Sequence, residues 1–214
     1  MKQVLAFGDS LTWGSDPHTG GRHGYRSRWP VALGEGLPGA VVFGEGLRGR
    51  TTVHARNSAC AEMRGDAVLP VLLHSHAPLD LVVIMLGTND LKPAICGSAL
   101  EASFGMRRLV QIIRGQAAGK GETAPEILLV APPLICQSEN ADMIGHFGGF
   151  AHALEQSSQF APHYARRAEE WDTMFFDAAT VAKADPEDGV HLDAANTRAI
   201  GTALVPVVRQ VLGL

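Results

Sequence analysis

The sequence has little of what several classes of protein require. Its 214 residues include three cysteines, Cys60, Cys96 and Cys136, which are odd in number and widely spaced. Neither a disulfide framework nor a CxxC metal or redox motif can be drawn from them, so we expect reduced thiols. Lys and Arg number 18 against 22 Asp and Glu, and the net charge of −4 offers no electrostatic footprint for nucleic acid.

Long apolar runs are also missing. No stretch approaches the length of a transmembrane helix, and residues 1–3 lead into an apolar segment without the pattern of a secretory leader. We therefore expect a cytoplasmic protein with no membrane partner. Hydrophobic residues make up 46% and charged residues 19% of the chain, as in globular proteins. The length suits one sizeable core, which predicts a single domain over residues 1–214.

Short apolar segments predict five strands. They lie at residues 4–7, 40–43, 79–86, 126–131 and 174–177, and the third is continuously apolar after Asp80. Helical patterns separate them, at residues 27–36, 67–78, 98–118 and 150–170, and from an N-cap at Asp193 to the end. This alternation predicts an α/β fold in which a five-stranded parallel sheet lies between layers of helices.

Three prolines limit where the predicted helices can begin, continue or stay straight. Pro70 is tolerable only in the first turn of its helix, Pro162 should interrupt the helix at 150–170, and Pro206 should bend the last helix or cost it a hydrogen bond. We predict a long loop at residues 134–149, and loops of that length in a compact domain are usually functional or interfacial.

A serine directly follows the first strand, in Gly8-Asp9-Ser10-Leu11. The carboxyl end of a strand is where α/β sheets usually present their chemistry. A serine hydroxyl needs a base, and Asp188-Gly189-Val190-His191 could supply a histidine together with the carboxylate that orients it. Each stretch taken alone is explained equally well as an ordinary turn.

Two further loops follow predicted strands. Gly87-Thr88-Asn89-Asp90 is either a plain turn or the source of an amide N–H for a developing oxyanion, a donor worth on the order of 3 kcal/mol. Residues 44–49 match GxGxxG, which is typical of dinucleotide binding. However, they follow the second strand, no apolar helix comes next, and residues 34–39 match the same pattern. The loop could instead turn a backbone N–H, such as that of Gly49, toward Ser10.

Together these motifs resemble the GDSL, or SGNH, hydrolase family, in the right order over the whole chain. Phe7 to Gly14, the 45–52 segment, Pro78 to Asp90 and the 188–191 turn are most similar to its arylesterase and acyltransferase branch, which includes bacterial carbohydrate acetylesterases. The resemblance implies a flavodoxin-like three-layer α/β/α sandwich, no metal or other cofactor, and a homo-oligomer.

The resemblance also implies roles for individual residues. Ser10 matches the nucleophile, His191 the general base and Asp188 the acid that orients it. The backbone N–H groups of Ser10 and Gly49 and the side chain of Asn89 match the oxyanion hole. Gly44 and Gly46 compete with Gly49 for its place, and Arg48 stands where the family usually has an asparagine.

The resulting hypothesis is a serine esterase acting on short-chain acyl esters of aryl, alkyl or sugar alcohols, with acyl transfer to an alcohol or peroxide where the pocket excludes water. A lysophospholipase or thioesterase of the same fold is the alternative, and a non-catalytic binding module a further one. We expect residues 134–149 to help bury the pocket. Its candidate wall residues are Thr12, Trp13, Phe147, Phe150 and Val190. For the three aromatic residues, core packing is the competing interpretation.

Overall fold

The computed structural model describes residues 1–56, 58–116, 118–119, 121 and 123–214. Its strands form one parallel sheet in the order β2-β1-β3-β4-β5. Their bounds are β1 Lys2–Gly8, β2 Ala40–Gly46, β3 Leu81–Met85, β4 Glu126–Ala131 and β5 Met174–Asp177. The predicted five-stranded parallel sheet is confirmed.

Helices cover both faces of the sheet. They are α1 Ser10–Trp13, α2 Trp29–Glu35, α3 Gly65–Ser75, α4 Ala99–Arg114, α5 Ala141–Phe147, α6 Phe150–Ser158, α7 Phe160–Glu170 and α8 Ala194–Leu212. Short 3-10 helices include Thr88–Leu91, directly after β3. Within the described ranges, no helix combines the length and the apolar character needed to cross a membrane.

Side-chain alternation along β1 divides the core into two halves. Val4 and Ala6 pack on one face with Trp29 of α2 and the apolar side of α8. Leu5 and Phe7 pack on the other face against α3, α4 and α7. Because successive side chains of a strand point to opposite faces, a continuously apolar strand is buried on both sides. This gives the predicted α/β/α sandwich.

The helix α3 differs from the prediction. Pro70 lies inside it, beyond the first turn, and the helix ends at Ser75. The expectation that this proline could only occupy a first turn is wrong. Leu69 and Leu73, one turn apart, are both fully buried. Each such burial is worth about 1.5–3 kcal/mol, which offsets the hydrogen bond that the proline cannot make.

The predicted loop at 134–149 contains a helix. Its N-cap is Asn140, whose side chain accepts a hydrogen bond from Met143 N–H at 3.1 Å. Gly148 ends it in the left-handed conformation at φ 64°. Both are ordinary helix-end signals, and they outweigh the weak periodicity of the seven residues between them.

The other predicted helices differ from the observed ones mainly in where they begin and end. The predicted break near Pro162 falls at Gln159, between α6 and α7, so that the proline lies in the first turn of α7, where its missing N–H costs little. The helix α8 begins after Asp193 as predicted and continues past Pro206. The helix predicted to reach residue 118 ends at Arg114, and Ala117 lies outside the described residues.

Three strands end side by side. Gly8 pairs with Gly46 of β2 on one side and with Met85 of β3 on the other. The loops after β1, β2 and β3 therefore leave the sheet at the same level, where the strand order reverses between β1 and β3. This is the position at which open α/β sheets bind ligands.

Candidate active site

Ser10 begins the four-residue helix α1. Asp9 caps this helix, since its Oδ1 accepts a hydrogen bond from Leu11 N–H at 2.9 Å. The helix lies directly on the end of β2, where a Cβ at Gly46 would come within 2.1 Å of the Trp13 nitrogen. Glycine at position 46 therefore has a packing reason, and it allows α1 to hold Ser10 at the edge of the sheet.

His191 and Ser10 meet across 181 positions of sequence. The Nε2 of His191 lies 2.9 Å from Ser10 Oγ, and its Nδ1 lies 2.5 Å from Asp188 Oδ2. The Nδ1–carboxylate contact favours the tautomer in which Nε2 can accept the serine proton. The structure thus brings together all three residues that the sequence assigned to a nucleophile, base and acid.

The Asp188 carboxylate is held in place by its own turn. Its Oδ1 accepts hydrogen bonds from the backbone N–H groups of Val190 and His191, at 2.9 and 2.8 Å. Burial alone would raise the pKa of Asp188. The hydrogen bond from His191, the charge of that ring and the two backbone donors outweigh burial, and the pKa is lowered from its usual value. Asp188 is therefore an anion that can stabilise a protonated His191.

Gly49 lies beside Ser10 in the cavity wall. It follows Arg48 in a turn closed by the hydrogen bond from Arg50 N–H to Leu47 O, and its φ of 84° requires glycine there. Gly44 and Gly46 belong to β2, and no helix opens after the loop, so the dinucleotide-binding pattern lacks its structural context. Among the described residues, neither Gly49 N–H nor Ser10 N–H has a backbone acceptor, which leaves both free for a ligand oxygen.

Asn89 lies in the 3-10 helix after β3. Its Nδ2 donates to Arg50 O at 3.0 Å and lies 3.4 Å from Asp9 Oδ2, while its Oδ1 accepts from Lys92 Nζ at 2.8 Å. The contact with Asp9 is long for a hydrogen bond. One Nδ2 hydrogen is thus firmly engaged, and the other is weakly held next to Ser10.

Arg50 is a structural residue that the sequence analysis did not single out. Its buried guanidinium lies over the Phe7 ring and donates through Nη1 to Gly8 O and Glu45 O, at 2.7 and 2.5 Å. Burial lowers its pKa to about 10, partly offset by Asp9 and Glu45. Arg50 ties the ends of β1 and β2 together, and its carbonyl positions Asn89.

Asp90 fixes the same loop from its other side. Both carboxylate oxygens accept from Thr52 N–H at 3.1 Å, and Oδ1 also accepts from the Thr52 hydroxyl at 2.5 Å. Burial raises its pKa to about 7 despite these bonds, and nearby Asp9 adds to the increase. The loops after β2 and β3 are therefore joined by a buried polar contact. Thr52 lies in the 45–52 segment and Asp90 in the 87–90 motif, both of which are part of the sequence resemblance.

A cavity of about 190 Å³ opens over these groups. Of the five predicted wall residues, Phe147 and Val190 line it. Phe147 comes from α5, as do the unpredicted wall residues Met143 and His146. The 134–149 segment therefore does cover the site, through a helix instead of a loop.

The structure places the other three predicted wall residues elsewhere. Thr12 is buried and accepts a hydrogen bond from Trp29 Nε1 at 3.2 Å. Phe150 belongs to the core, stacked on Phe147 with ring centroids 6.2 Å apart. Trp13 lies outside the lining, beneath the guanidinium groups of Arg22 and Arg48. Core packing, the competing interpretation for the aromatic residues, describes Phe150, while Phe147 both packs in the core and lines the cavity.

Basic side chains in the cavity wall were also missed. Arg48, Arg56 and Lys92 all line it. Burial lowers the pKa of Lys92 to about 8, with a smaller contribution from the charge of Arg56 and an opposing one from Asp9. Lys92 follows the Asn89-Asp90 pair by two positions, so its proximity to the site could have been inferred from the motif.

Among the described residues, one group has donor atoms spaced as metal ligands could be: His54, Asp90 and Cys96, all within 4.8 Å of one another. Both oxygens of Asp90 are already bonded to Thr52, and Cys96 Sγ donates to the Asp90 carbonyl at 3.1 Å. As it stands, the group is part of the hydrogen-bonded support of the loop after β3.

The chain matches the model of the GDSL-like lipase/acylhydrolase family over residues 6–199. It is 49% identical to a carbohydrate acetylesterase family member from Sinorhizobium meliloti, with 100% of each chain covered and a TM-score of 0.95. Est24, a carbohydrate acetylesterase from the same organism, is 36% identical over 99% of this chain and 100% of its own, with a TM-score of 0.92. The native M. smegmatis aryl esterase is 35% identical over 99% and 100%, with a TM-score of 0.91.

No curated protein sequence matches the chain. The family match spans most of the sequence, and the solved structures cover it almost completely at identities well above those that indicate the fold alone. The chain therefore belongs to the GDSL-like lipase/acylhydrolase family and is a carboxylic ester hydrolase.

Proposed function

We propose that this hydrolase is a serine esterase that cleaves short-chain, acetyl-like acyl esters of aryl, alkyl or sugar alcohols through an acyl-enzyme. The observation that carries the proposal is the single line of contacts from Asp188 Oδ2 through His191 to Ser10 Oγ, at 2.5 and 2.9 Å. A serine, a base and an orienting acid in this geometry are what nucleophilic acyl transfer needs.

In the first step Ser10 Oγ attacks the ester carbonyl while His191 Nε2 takes its proton. The carbonyl oxygen becomes an oxyanion, which accepts hydrogen bonds from the free N–H groups of Ser10 and Gly49. Asn89 Nδ2 lies 3.4 Å from Asp9 Oδ2, and it supplies the third donor when the hydrogen that points to Asp9 turns to the oxyanion. Its other hydrogen stays on Arg50 O and keeps the amide in place.

Collapse of this intermediate breaks the bond to the alcohol oxygen, which leaves with the proton from His191. The acyl group is then bound to Ser10. Water attacks the acyl-enzyme with His191 as the base, the bond to Ser10 Oγ breaks, and the proton returns to that oxygen as the carboxylic acid is released.

The size of the cavity supports a short acyl group. Its volume of about 190 Å³ is below the roughly 300–1,000 Å³ of pockets that enclose drug-sized ligands. The rings of Phe147 and His191 and the side chain of Val190 are among the groups that line it. The similar solved structures bear the names carbohydrate acetylesterase and aryl esterase, which fits a small acyl group on either kind of alcohol.

The test compares 4-nitrophenyl acetate with 4-nitrophenyl octanoate, using the Ser10→Ala variant to define the background rate. The proposal predicts a higher kcat/KM for the acetate. A preference for the octanoate would contradict the short-acyl assignment and favour a lysophospholipase or thioesterase. Turnover of neither ester above the Ser10→Ala background would favour the non-catalytic binding module. Acetylated sugars compared with phenyl acetate then identify the alcohol.

Acyl transfer, a homo-oligomer and a cytoplasmic location are three further predictions. Acyl transfer is measured by adding a primary alcohol and quantifying the new ester against released acid. The homo-oligomer is tested by the molar mass in solution, and the cytoplasmic location by fractionating cells that express the protein.

A further inference from the structure

We infer that the natural ester carries an anionic group, a carboxylate close to the scissile bond, and that Arg56 and Lys92 bind it. The inference rests on the proposed esterase function and narrows its substrate class.

The charged side chains of the cavity wall are all of positive sign. Arg48, Arg56 and Lys92 line it together with the exposed ring of His146, and none of the described lining residues is an Asp or Glu. The whole chain carries a net charge of −4, so this excess of positive charge is local and does not follow from composition. A cavity lined by one sign of charge attracts ligands of the opposite sign.

The basic groups lie next to the proposed oxyanion hole. An Arg56 Nη1 lies 3.2 Å from where a Cβ of Gly49 would stand, and Lys92 Nζ lies 2.8 Å from Asn89 Oδ1. A second cavity, of about 380 Å³, shares Arg56, Lys92 and His146 with the first. A substrate that occupies the first cavity and extends toward the second must pass these two cations.

Neither cation is neutralised by a carboxylate contact among the described residues. The ammonium of Lys92 bonds to the neutral amide of Asn89, and the guanidinium of Arg56 makes no ion pair within the described ranges. Several arginines elsewhere on the protein do pair with carboxylates, for example Arg198 with Glu35 at 2.7 Å and Arg64 with Asp66 at 2.8 Å. Arg56 and Lys92 are therefore available to a ligand.

The two cations also disfavour each other. Burial and then the charge of Arg56 lower the pKa of Lys92 to about 8, and the opposing charge of Asp9 does not restore it to the usual value. A ligand carboxylate between Arg56 and Lys92 would relieve this repulsion. A guanidinium presents a planar pair of donors that matches a carboxylate, and the ammonium adds a point charge.

The test measures kcat/KM for two matched pairs of esters. The first pair, 4-acetoxybenzoate and its methyl ester, carries or lacks a carboxylate on the alcohol side. The second pair, 4-nitrophenyl hydrogen succinate and its methyl ester, carries or lacks a carboxylate on the acyl side. Each enzyme gives an anionic-to-neutral ratio, and comparison of that ratio between enzymes cancels the intrinsic reactivity of the esters.

The variants are Arg56→Gln and Lys92→Gln, with Arg108→Gln as the matched control. Arg108 is exposed on α4 and lines neither cavity, so its replacement removes the same unit of charge from a different place. We expect the ratio to fall by about three- to tenfold in each of the two cavity variants for at least one pair, and to stay at the wild-type value in Arg108→Gln. Added salt should reduce the wild-type ratio as well.

Equal ratios in Arg56→Gln, Lys92→Gln and Arg108→Gln for both pairs would overturn the inference. If the neutral esters are nevertheless hydrolysed above the Ser10→Ala background, the proposed esterase function stands and only the anionic substrate class fails. If no ester of either kind exceeds that background, both fail. Circular dichroism reports whether each variant is folded, since Lys92 also contacts Asn89 and its replacement is expected to lower the rate on the neutral esters as well.

Discussion

Lys92 Nζ lies 2.8 Å from Asn89 Oδ1, while the Nδ2 of the same asparagine donates to Arg50 O at 3.0 Å. The amide is held from both ends. Turning it over would place the NH₂ group against an ammonium and the amide oxygen against a carbonyl, two unfavourable contacts. Lys92 is therefore a positioning residue for the donor that we assign to the oxyanion hole.

This contact predicts coupling between the two side chains. We expect Asn89→Ala to lower kcat for 4-nitrophenyl acetate by about 10²–10³-fold, as the loss of one oxyanion donor does. Lys92→Met should lower kcat by roughly tenfold with little change in KM, because it loosens the same donor. In the Asn89→Ala background the Lys92 change should have no further effect on this neutral ester. Losses that multiply in the double variant would contradict the positioning role.

Asp188 should be needed for catalysis and not for the fold. Asp188→Asn keeps an oxygen for the two backbone donors but presents an NH₂ group or a neutral oxygen to His191 Nδ1, which disturbs the tautomer. We expect kcat to fall by roughly 10³–10⁴-fold.

Asp185→Asn is the matched control for Asp188. Asp185 lies on the same loop and contacts the exposed His18 at 3.0 Å. Its replacement should leave kcat near the wild-type value. Comparable losses in the two variants would indicate that the loop, and not the carboxylate beside His191, is what matters.

Asp9 should make stability depend on pH. Burial raises its pKa from 3.8 to about 6, although the hydrogen bond from Leu11 N–H opposes this. Since the folded state holds the proton more tightly than the unfolded state, the free energy of unfolding falls as pH rises between these values. Asp9→Asn keeps an acceptor for Leu11 N–H and has no charge to bury. Relative to wild type, the variant should gain about 2 kcal/mol between pH 4 and pH 7, because pH 4 already lies above the pKa of this carboxyl in the unfolded chain.

Chemical denaturation of both proteins at the two pH values measures this gain. The difference between variant and wild type cancels the groups that titrate independently of Asp9, and it includes the lower pKa of Asp90 that follows from removing the charge of Asp9. A difference that is the same at pH 4 and pH 7 would show that the carboxyl of Asp9 ionises as readily in the folded protein as in the unfolded chain.

The order of motifs along the chain was sufficient to predict which residues would meet. Ser10, Asn89 and His191 each follow a strand or precede a helix at a recognisable turn, and parallel strands necessarily bring their carboxyl ends to one edge. Gly49 was harder to assign, because three glycines competed. Only the structure shows that Gly46 is needed for packing against Trp13, while Gly49 takes the left-handed conformation beside Ser10.

The cavity wall could not be predicted in the same way. Phe147 and Phe150 are three residues apart, equally apolar and both packed in the core, yet only Phe147 also lines the cavity. Which of the two rings reaches the cavity depends on how α5 and α6 pack over the site, and the hydrophobic pattern of the sequence gives no signal for it. Arg56 likewise looks like an ordinary surface charge until the loops after β2 and β3 are placed side by side.

The two phenylalanines provide a matched pair for the acyl-chain preference. Phe147→Ala removes a ring from the cavity wall and should raise the octanoate-to-acetate ratio of kcat/KM by roughly tenfold, since a pocket discriminates each methylene by about 1–3 kcal/mol at most. Phe150→Ala removes the same volume from the core. Both should destabilise the protein by about 3–5 kcal/mol. An equal change of the ratio in both variants would contradict the assignment of Phe147 to the acyl wall.

The rate at which Ser10→Ala hydrolyses 4-nitrophenyl acetate decides whether Ser10 is the nucleophile. Ser10 Oγ makes the 2.9 Å contact with His191, and its replacement removes the attacking oxygen alone. We expect a loss of at least about 10⁴-fold in kcat, with circular dichroism unchanged from wild type. A variant that keeps its fold and hydrolyses the ester within tenfold of the wild-type rate would contradict the mechanism.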